Sequence, residues 1–259
     1  MEAARAFARI DHGSAVVGNR FAERVWSTFM GYTVSILEKP SGREWTRRRS
    51  PEFFFATPDD IIDVMTLGEI SWSEFYTPYG AGLCCEKYND DLSLSLDVMC
   101  FHACAGIRRV VALTNTSGAP LTIRHAAFEA LAMPAMVDLE VVRAFAPPAG
   151  ANAPEAWRWA AVTGDGGGMV FGAAGACEFR ADSPEQGQCS WIFPDVVTLA
   201  PGERFAFPET MLAHVYGALE EGVEGVLSGF FACRAEAEAW EEEVRRAEVE
   251  GMGESHASD

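Results

Sequence analysis

Apolar and polar residues alternate over several short stretches of the chain. In residues 91–100, the even positions hold Leu, Val or Cys and most odd positions hold Ser or Asp. This period of two predicts a half-buried antiparallel strand. Residues 107–115 and 121–131 also have strand-like composition, and the Asn, Gly and Pro of 115–120 predict a turn between them. Such frequent short strands predict an all-β fold, a large antiparallel β-sandwich.

The end of the chain has a different pattern. Residues 235–249 are strong helix formers with apolar positions at helical spacing, which predicts an amphipathic helix that docks through Trp240. We therefore divide the chain into a β-sandwich domain, 1–232, and a C-terminal helix with a frayed tail, 233–259. The Pro- and Gly-rich residues 147–154 are predicted to form a surface loop. Further strands are predicted at 32–38, 52–57, 169–172, 190–197 and 204–216.

The charge of the chain argues against one class of partner. Its 259 residues include 38 acidic and 20 basic side chains, which give a formal net charge of -18. Because nucleic acids are polyanions, a protein this acidic is not expected to bind them without a separate basic patch. The one short basic cluster, Arg43 with residues 47–49, is interpreted as a solvated turn.

Hydropathy and cysteine usage indicate the compartment. No apolar stretch approaches the roughly 20 residues that a membrane-spanning helix needs, so no membrane contact is predicted. The first ten residues lack the apolar segment of a secretory signal. Seven cysteines, an odd number without regular spacing, favour reduced thiols over a disulfide framework. We therefore predict a cytoplasmic protein.

Two local patterns suggest a bound ion or cofactor, and neither has the required context. Cys100, His102 and Cys104 alternate along a predicted strand, where such residues are roughly 6.6 Å apart. Zinc ligands must converge at about 2.0–2.3 Å from one ion, which a straight strand does not allow. The Gly-rich residues 164–168 are not followed by the Lys and Ser or Thr of a phosphate-binding loop. No metal and no cofactor is predicted.

Short motifs follow one another in a distinctive order along most of the chain. They begin at Gly18-Asn19 and end at Pro208-Glu209. Between these lie Arg24, Tyr-Thr-Val-Ser at 32–35, Ser-Gly-Arg-Glu-Trp at 41–45, Ser-Pro-Glu-Phe-Phe-Phe at 50–55, Ile-Arg-Arg-Val at 107–110, Leu-Thr-Asn-Thr-Ser-Gly at 113–118 and Leu-Ala-Pro-Gly-Glu at 199–203.

In this order the motifs resemble the N-terminal β-supersandwich of bacterial α-galactosidase-like glycoside hydrolases, which has the galactose mutarotase-like fold. The resemblance extends from about residue 17 to residue 216. In that family a helical link and a catalytic (β/α)8 barrel, which holds the acid and the nucleophile, follow the supersandwich. This chain stops at the predicted helix. The resemblance therefore implies an accessory domain without the catalytic one.

A histidine and a glutamate could support acid–base chemistry on a sugar ring, as in mutarotases of the same general fold. His125 and Glu129 are four residues apart, so an extended strand would place them on one face. The His-Gly signature of mutarotases, followed by an Arg, does not occur at matching places. We therefore assign no catalytic residue from the sequence.

Flat aromatic rings beside hydrogen-bonding side chains are the groups that a sugar-binding surface needs. Several tryptophans have such neighbours, but the same rings are equally suited to packing in a core. The residues expected to form a ligand face are Trp45, Trp72, Glu74, Tyr76, Trp191, His125 and Glu129.

Three functional hypotheses follow. The first is a carbohydrate-associated β-sandwich domain, non-catalytic, that binds a sugar or serves a glycosidase partner. The second is an aldose 1-epimerase-like enzyme that uses a His–Glu pair. The third is a structural module that forms homo-oligomers through exposed strand edges and the C-terminal helix.

Overall fold

The computed structural model describes residues 5–46, 49–64, 66–133, 140–144, 156–164, 167–181, 188–217 and 219–255. Within these residues the chain forms 21 β-strands, all paired antiparallel, and one helix. The predicted all-β antiparallel sandwich with a C-terminal helix is thereby confirmed. Residues 147–154, Arg47 and Arg48, on which a loop and a solvated turn were predicted, lie outside the described part.

A large sheet forms the middle layer of the molecule. One face of this sheet, the inner face, packs against two other sheets, and the outer face packs against the helix. In spatial order its strands are β14 (Glu140–Ala144), β15 (Trp157–Gly164), β16 (Gly167–Ala174), β21 (Thr210–Tyr216), β11 (Ile107–Asn115), β10 (Leu92–Phe101), β9 (Gly80–Tyr88) and β8 (Glu69–Tyr76), and β20 (Arg204–Ala206) also pairs with β11.

The alternation seen in the sequence explains the two faces of the large sheet. Along β10, Leu94, Leu96 and Val98 are buried in the inner core, while the residues between them point outward. β11 has the bounds predicted from the sequence, and β10 differs by one residue at each end. The predicted strand 204–216 is two strands, β20 and β21, that both pair with β11.

Two smaller five-stranded sheets cover the inner face. We call them the N-terminal sheet and the short sheet. The N-terminal sheet consists, in order, of β1 (Phe7–Asp11), β2 (Ser14–Gly18), β3 (Ala22–Ser27), β4 (Thr33–Glu38) and β5 (Arg43–Glu44). The short sheet has the order β17 (Glu178–Ala181), β18 (Gln188–Phe193), β13 (His125–Ala132), β6 (Glu52–Ala56) and β7 (Ile61–Asp63). Separately, β12 (Leu121–Ile123) pairs with β19 (Val197–Leu199).

Aromatic rings fill the space between the short sheet and the large sheet. Phe207, just before β21, stacks on Phe55 with ring centroids 5.2 Å apart, and its centroid is 4.8 Å from that of Phe128. All three rings are buried. Burying such side chains stabilises the fold by about 1.5–3 kcal/mol each, so this cluster is a major source of cohesion between the two sheets.

The helix α1 (Leu219–Ser255) is longer than predicted and packs across the outer face of the large sheet. It docks mainly through Leu227, Phe230 and Phe231, whereas Trp240, the predicted contact, is only partly buried. The sequence-based boundary between residues 232 and 233 falls inside this helix. In the described residues, no helix has the length and apolar character needed to cross a membrane.

Four charged side chains meet in the interior at the junction of the three sheets. We call this group, Arg24, Glu52, Arg109 and Glu129, the buried charge ring. Each side chain has no exposed surface, and each arginine pairs with both glutamates. The four nitrogen–oxygen distances are 2.9 Å (Arg24–Glu52), 2.8 Å (Arg24–Glu129), 3.3 Å (Arg109–Glu52) and 3.4 Å (Arg109–Glu129).

Further hydrogen bonds add to the ion pairs of the ring. Trp26 Nε1 donates to Glu52 Oε1 over 3.0 Å, and Thr33 Oγ1 donates to the same oxygen. Arg109 Nη2 also donates to the backbone carbonyl of Glu52 over 3.0 Å. The ring thereby ties β3 of the N-terminal sheet and β11 of the large sheet to β6 and β13 of the short sheet.

The backbone is strained at both glutamates. Glu52 has a φ of 72° and Glu129 a φ of 49°, values that non-glycine residues rarely adopt. Glu129 is the extra residue of a β-bulge, because Phe128 pairs with Phe53 and Ala130 with Glu52. Such conformations persist where surrounding contacts compensate for them, and here the two arginines supply those contacts.

The charges of the ring stabilise one another. Burial alone would lower the pKa of Arg24, but Glu129 and Glu52 outweigh this effect and raise it. Burial alone would raise the pKa of Glu129, but Arg24 and Arg109 lower it. Arg24 and Glu129 are therefore ionised at neutral pH, and the ring as a whole holds two basic and two acidic side chains.

Another polar side chain is buried within the large sheet. His214 in β21 is fully buried, its ring centroid is 6.2 Å from that of Trp45, and neither ring nitrogen has a hydrogen-bond partner among the described residues. Burial lowers the pKa of His214 to about 3. The imidazole is therefore neutral in the folded protein over the whole physiological pH range.

We predict that removing one member of the charge ring destabilises the protein strongly. Glu129→Gln leaves two buried arginines opposite one carboxylate, which should lower the free energy of unfolding by about 3 kcal/mol or more. The matched control is Glu242→Gln, which breaks exposed pairs with Arg245 and Arg246 on α1 and should cost less than about 1 kcal/mol. Urea unfolding at neutral pH, followed by tryptophan fluorescence, measures both. Equal losses would contradict the role given to the ring.

We also predict that His214 makes the protein sensitive to acid. The unfolded chain binds a proton at this imidazole below a pH of about 6.5, whereas the folded chain does so only near pH 3. The free energy of unfolding should therefore fall with decreasing pH in this window, by up to about 1.4 kcal/mol per pH unit from this group. His214→Met should flatten the decline, and the exposed His12→Gln should leave it unchanged. Urea unfolding between pH 7 and pH 4.5 measures the slope over roughly the first two pH units of that loss. An unchanged slope in His214→Met would contradict this account.

Candidate functional site

Two members of the buried charge ring, Arg24 and Glu129, have shifted pKa values, but the ring has no access to solvent. Clusters of this kind often mark active sites, yet a substrate must be able to reach them. All four side chains are completely buried. A ligand can therefore bind only at another part of the protein.

A cleft of about 570 Å³ lies on the outer face of the large sheet, beside α1. Its volume is within the range of small-molecule sites. Strands β8, β10, β11 and β20 form its floor and sides, and the helix forms one wall. The lining residues are Phe75, Asp97, Met99, Arg108, Val110, Arg204, Glu241 and Arg245.

Strand pairing brings the floor residues together. Phe75 lies opposite Gly82, Gly82 opposite Met99, and Met99 opposite Arg108, so the four form one row across the sheet. A Cβ atom at Gly82 would be only 2.1 Å from Cζ of Phe75. The glycine therefore makes room for the aromatic ring, which lies over the sheet at one side of the cleft.

Ion pairs at the seam between sheet and helix position the wall of the cleft. Arg108 lies 3.2 Å from Glu209 and 3.2 Å from Glu241 of α1. Arg234 of α1 is also paired with Glu209, at 2.9 Å, and with Glu238, at 2.7 Å. The Arg108 and Glu209 side chains are 17% and 11% exposed, so these pairs are less screened than ordinary surface pairs.

The next row across the sheet adds polar groups. Cys84 lies opposite Asp97, and their side chains are hydrogen-bonded; burial and this contact raise the pKa of the thiol to about 12. Arg204 Nη2 donates to Ser95 Oγ over 3.3 Å. Carboxylate and guanidinium groups thus surround an apolar floor.

This arrangement suits binding by stacking and hydrogen bonds. Among its lining residues there is no histidine and no serine or cysteine nucleophile paired with a base. In the described part of the chain, no group of three or more His, Cys, Asp or Glu side chains could hold a metal ion. Cys100 faces the inner core, His102 accepts a hydrogen bond from Ala6 N over 3.0 Å, and Cys104 faces α1, so these three diverge.

Three of the residues expected in a sugar-binding face are fully buried. Trp45 donates from Nε1 to Glu38 over 3.2 Å, and Trp191 packs edge-on against Phe179. Glu129 belongs to the buried charge ring. Trp45, Trp191 and Glu129 have no exposed surface, so none of them can touch a sugar in this conformation.

The other four residues lie at two separate places. On β8, Trp72 packs toward the inner core near Trp26, while Glu74 and Tyr76 hold β1: Ile10 N donates to Glu74 over 2.7 Å, and Tyr76 donates to Ala8 O over 2.8 Å. His125 is half-buried at the start of β13. The prediction that His125 and Glu129 share a face assumed a regular extended strand. The bulge at Glu129 interrupts the alternation of β13, so this assumption does not hold.

The cleft residues were missed for three reasons. Phe75 stands between Glu74 and Tyr76 and therefore points to the opposite face of β8, toward the cleft. Asp97 lies on the polar side of a strand that was recognised, but a polar side chain on an exposed face is too common to single out. Arg108 and Glu241 are brought together only by the docking of α1.

Comparison with known proteins shows the fold. No protein-family profile and no curated protein matches the chain. Among solved structures, the galactosidase domain of the α-galactosidase-sucrose kinase AgaSK superposes with a TM-score of 0.54 at 11% identity and covers 83% of this chain and 42% of that one. The α-galactosidase AgaB from Geobacillus stearothermophilus gives 0.51 at 11% identity, covering 83% and 41%.

A shorter protein also shares the fold. A putative aldose 1-epimerase from Klebsiella pneumoniae superposes with a TM-score of 0.54 at 10% identity and covers 86% of this chain and 85% of that one. The chain spans about two fifths of the length of the two galactosidases and most of the length of the epimerase. The structure thus has the galactose mutarotase-like β-sandwich fold of the glycoside hydrolase domains that its sequence resembles.

Proposed function

We propose that this protein is a non-catalytic, carbohydrate-associated domain that holds a sugar in the cleft beside α1. The observation that favours this function most is the cleft itself, an apolar floor of Phe75, Met99 and Val110 with charged hydrogen-bonding groups at its rim. Aromatic rings and charged planar groups in this arrangement are typical of sites that bind polar rings. The fold, shared with galactosidases, is consistent with a carbohydrate ligand.

The partners follow from the same proposal. The ligand is a free sugar or the glycan portion of a substrate that a glycosidase acts on, in the cytoplasm. The epimerase alternative has less support, because a half-buried His125 and a sealed Glu129 cannot act together on one sugar ring. A structural role in homo-oligomers would use surfaces other than the cleft.

We predict that Phe75 is required for sugar binding and that Tyr76 is not. Phe75→Ala removes the stacking ring and should weaken binding about tenfold, since aromatic contacts contribute roughly 0.5–1.5 kcal/mol beyond the area they bury. Tyr76→Ala alters the adjacent residue on the opposite face and is the matched control. One-dimensional proton NMR with α- and β-galactose and glucose measures both line broadening and anomer exchange.

The outcomes separate the hypotheses. Broadening that Phe75→Ala weakens and Tyr76→Ala preserves would support the cleft. Broadening that depends on Tyr76 would move the site to the edge formed by β8 and β1. Accelerated anomer exchange would make the protein an epimerase, and absence of broadening with every sugar would count against carbohydrate binding.

A further inference from the structure

Two cysteines from distant parts of the chain meet where α1 docks on the sandwich. Cys104 lies in the connection between β10 and β11, and Cys233 lies near the middle of α1. Both belong to the apolar cluster between the helix and the sheet, where each thiol shifts the pKa of the other, and Cys104 Sγ also donates to the carbonyl oxygen of Gly106 over 4.0 Å. Cys104 is buried, whereas Cys233 is half-exposed. Solvent therefore reaches one member of the pair.

The connection that holds Cys104 is fixed on both sides. Asn19 Nδ2 donates to the carbonyl oxygens of Phe101, over 2.9 Å, and of Cys104, over 2.7 Å. On the other side, a Cβ atom at Gly106 would be 2.5 Å from the ring of Phe230 in α1. Cys104 thus has little freedom to move away from the helix.

Gly229 of α1 faces the connection that holds Cys104. A Cβ atom at Gly229 would lie 3.6 Å from Cβ of Cys104, in ordinary contact. Cys233 follows Gly229 by four residues, about one turn, and so lies on the same face of α1. This placement brings its sulfur next to that of Cys104.

The surroundings favour a reactive Cys233. The neighbouring Cys104 thiol, together with backbone groups of Ala103 and Cys233, lowers the pKa of the Cys233 thiol, although burial and Glu236 act in the other direction. The contact with Cys233 and burial raise the pKa of the Cys104 thiol. In such a pair, the more acidic and accessible thiol is oxidised first. The buried, protonated thiol then reacts with the oxidised one to form a disulfide.

The remaining cysteines lack this environment. Cys85, Cys100, Cys177 and Cys189 are buried. Cys84 is half-exposed like Cys233, but burial and its contact with Asp97 raise the pKa of its thiol to about 12. Cys84 is therefore an internal control, because its thiol is partly exposed like that of Cys233 but its pKa is raised and not lowered.

We propose that Cys233 and Cys104 form an oxidant-sensitive thiol pair whose disulfide fastens α1 to the sandwich. The Cys233 thiolate attacks a peroxide oxygen, an S–O bond forms, the O–O bond breaks, and the released hydroxide takes up the proton that Cys233 lost. The sulfur of Cys104 then attacks the sulfenic acid of Cys233, the S–S bond forms, and water leaves with the proton of Cys104. Two thiols are oxidised, and one hydrogen peroxide is reduced to two waters.

The disulfide would fix the wall of the cleft. Glu241 and Arg245 lie two to three turns beyond Cys233 on the same helix. A covalent link at Cys233 limits the movement of α1 away from the sheet and so keeps these side chains over the floor. The chemistry of the thiol pair does not depend on the proposed sugar ligand.

The test uses the full chain, treated with a small excess of hydrogen peroxide, alkylated, digested and analysed by mass spectrometry. We expect a Cys104–Cys233 cross-linked peptide that dithiothreitol removes. Cys104→Ser should instead accumulate a sulfenic acid at Cys233 that dimedone traps, and Cys233→Ser should give neither product. Cys84→Ser is the matched control and should cross-link like the unmodified chain.

A second measurement requires no substitution. In the reduced protein, iodoacetamide should label Cys233 roughly tenfold faster than Cys84, because the thiolate is the reactive form. Hydrogen exchange of α1 amides should slow after oxidation and recover on reduction. Absence of the cross-link, or labelling of Cys84 before Cys233, would overturn the proposal, and either result would leave the sugar-binding measurement unaffected.

Discussion

Four charges buried at one point constrain the whole arrangement of sheets. Removing a carboxylate or a guanidinium group from water costs several kcal/mol per ion, and this cost is offset only if each charge meets opposite charges in good geometry. Arg24, Glu52, Arg109 and Glu129 satisfy this condition as an alternating ring in which every arginine touches both glutamates. Because the four residues come from β3, β6, β11 and β13, the ring forms only when three sheets have docked correctly.

The ring specifies the structure more than it adds to its stability. Apolar residues of similar volume can replace buried ion pairs without loss in other proteins, whereas a single unpaired charge is very unfavourable. Any alternative docking of these sheets would leave such a charge behind. The strained backbone at Glu52 and Glu129 fits this view, since their positive φ angles occur where each carboxylate must reach both arginines.

The same arrangement separates stability from function. The inner face of the large sheet is sealed by two sheets, an aromatic cluster and the ring, so its polar groups are not available to a ligand. The outer face is covered in part by α1, and the uncovered remainder forms the cleft. The helix therefore both completes the hydrophobic burial of the sheet and shapes the candidate binding site, and the Cys104–Cys233 contact lies at that junction.

Much of the fold could be predicted from the sequence, because alternation is a local signal. The strand at 107–115 was predicted at its observed bounds, and several motifs that supported the family resemblance contain members of the ring, such as Arg24, Glu52 and Arg109. The helix was predicted too short because Gly222 and Gly229 lower helix propensity. In the structure Gly222 lets α1 approach the sheet, because a Cβ atom at this position would be 2.2 Å from Cγ1 of Val215.

The candidate site could not be predicted in the same way. Whether a tryptophan packs in a core or faces a ligand depends on tertiary contacts, and Trp45 and Trp191 proved to be buried. The bulge at Glu129 interrupts the strand geometry on which the His125–Glu129 pairing was based. The cleft joins Phe75 and Asp97 to Glu241 through helix docking, which no local pattern encodes.

Native-state hydrogen exchange tests most directly whether the ring joins the three sheets into one cooperative unit. Amides in β3, β6, β11 and β13 should exchange through a single opening whose free energy equals that of global unfolding, while the end of α1 exchanges through smaller openings. The exchange rates of amides in these four strands should rise in parallel as low concentrations of denaturant are added. If the N-terminal sheet opened on its own, at a lower free energy than the large sheet, the buried charge ring would not be the interaction that holds the sheets together.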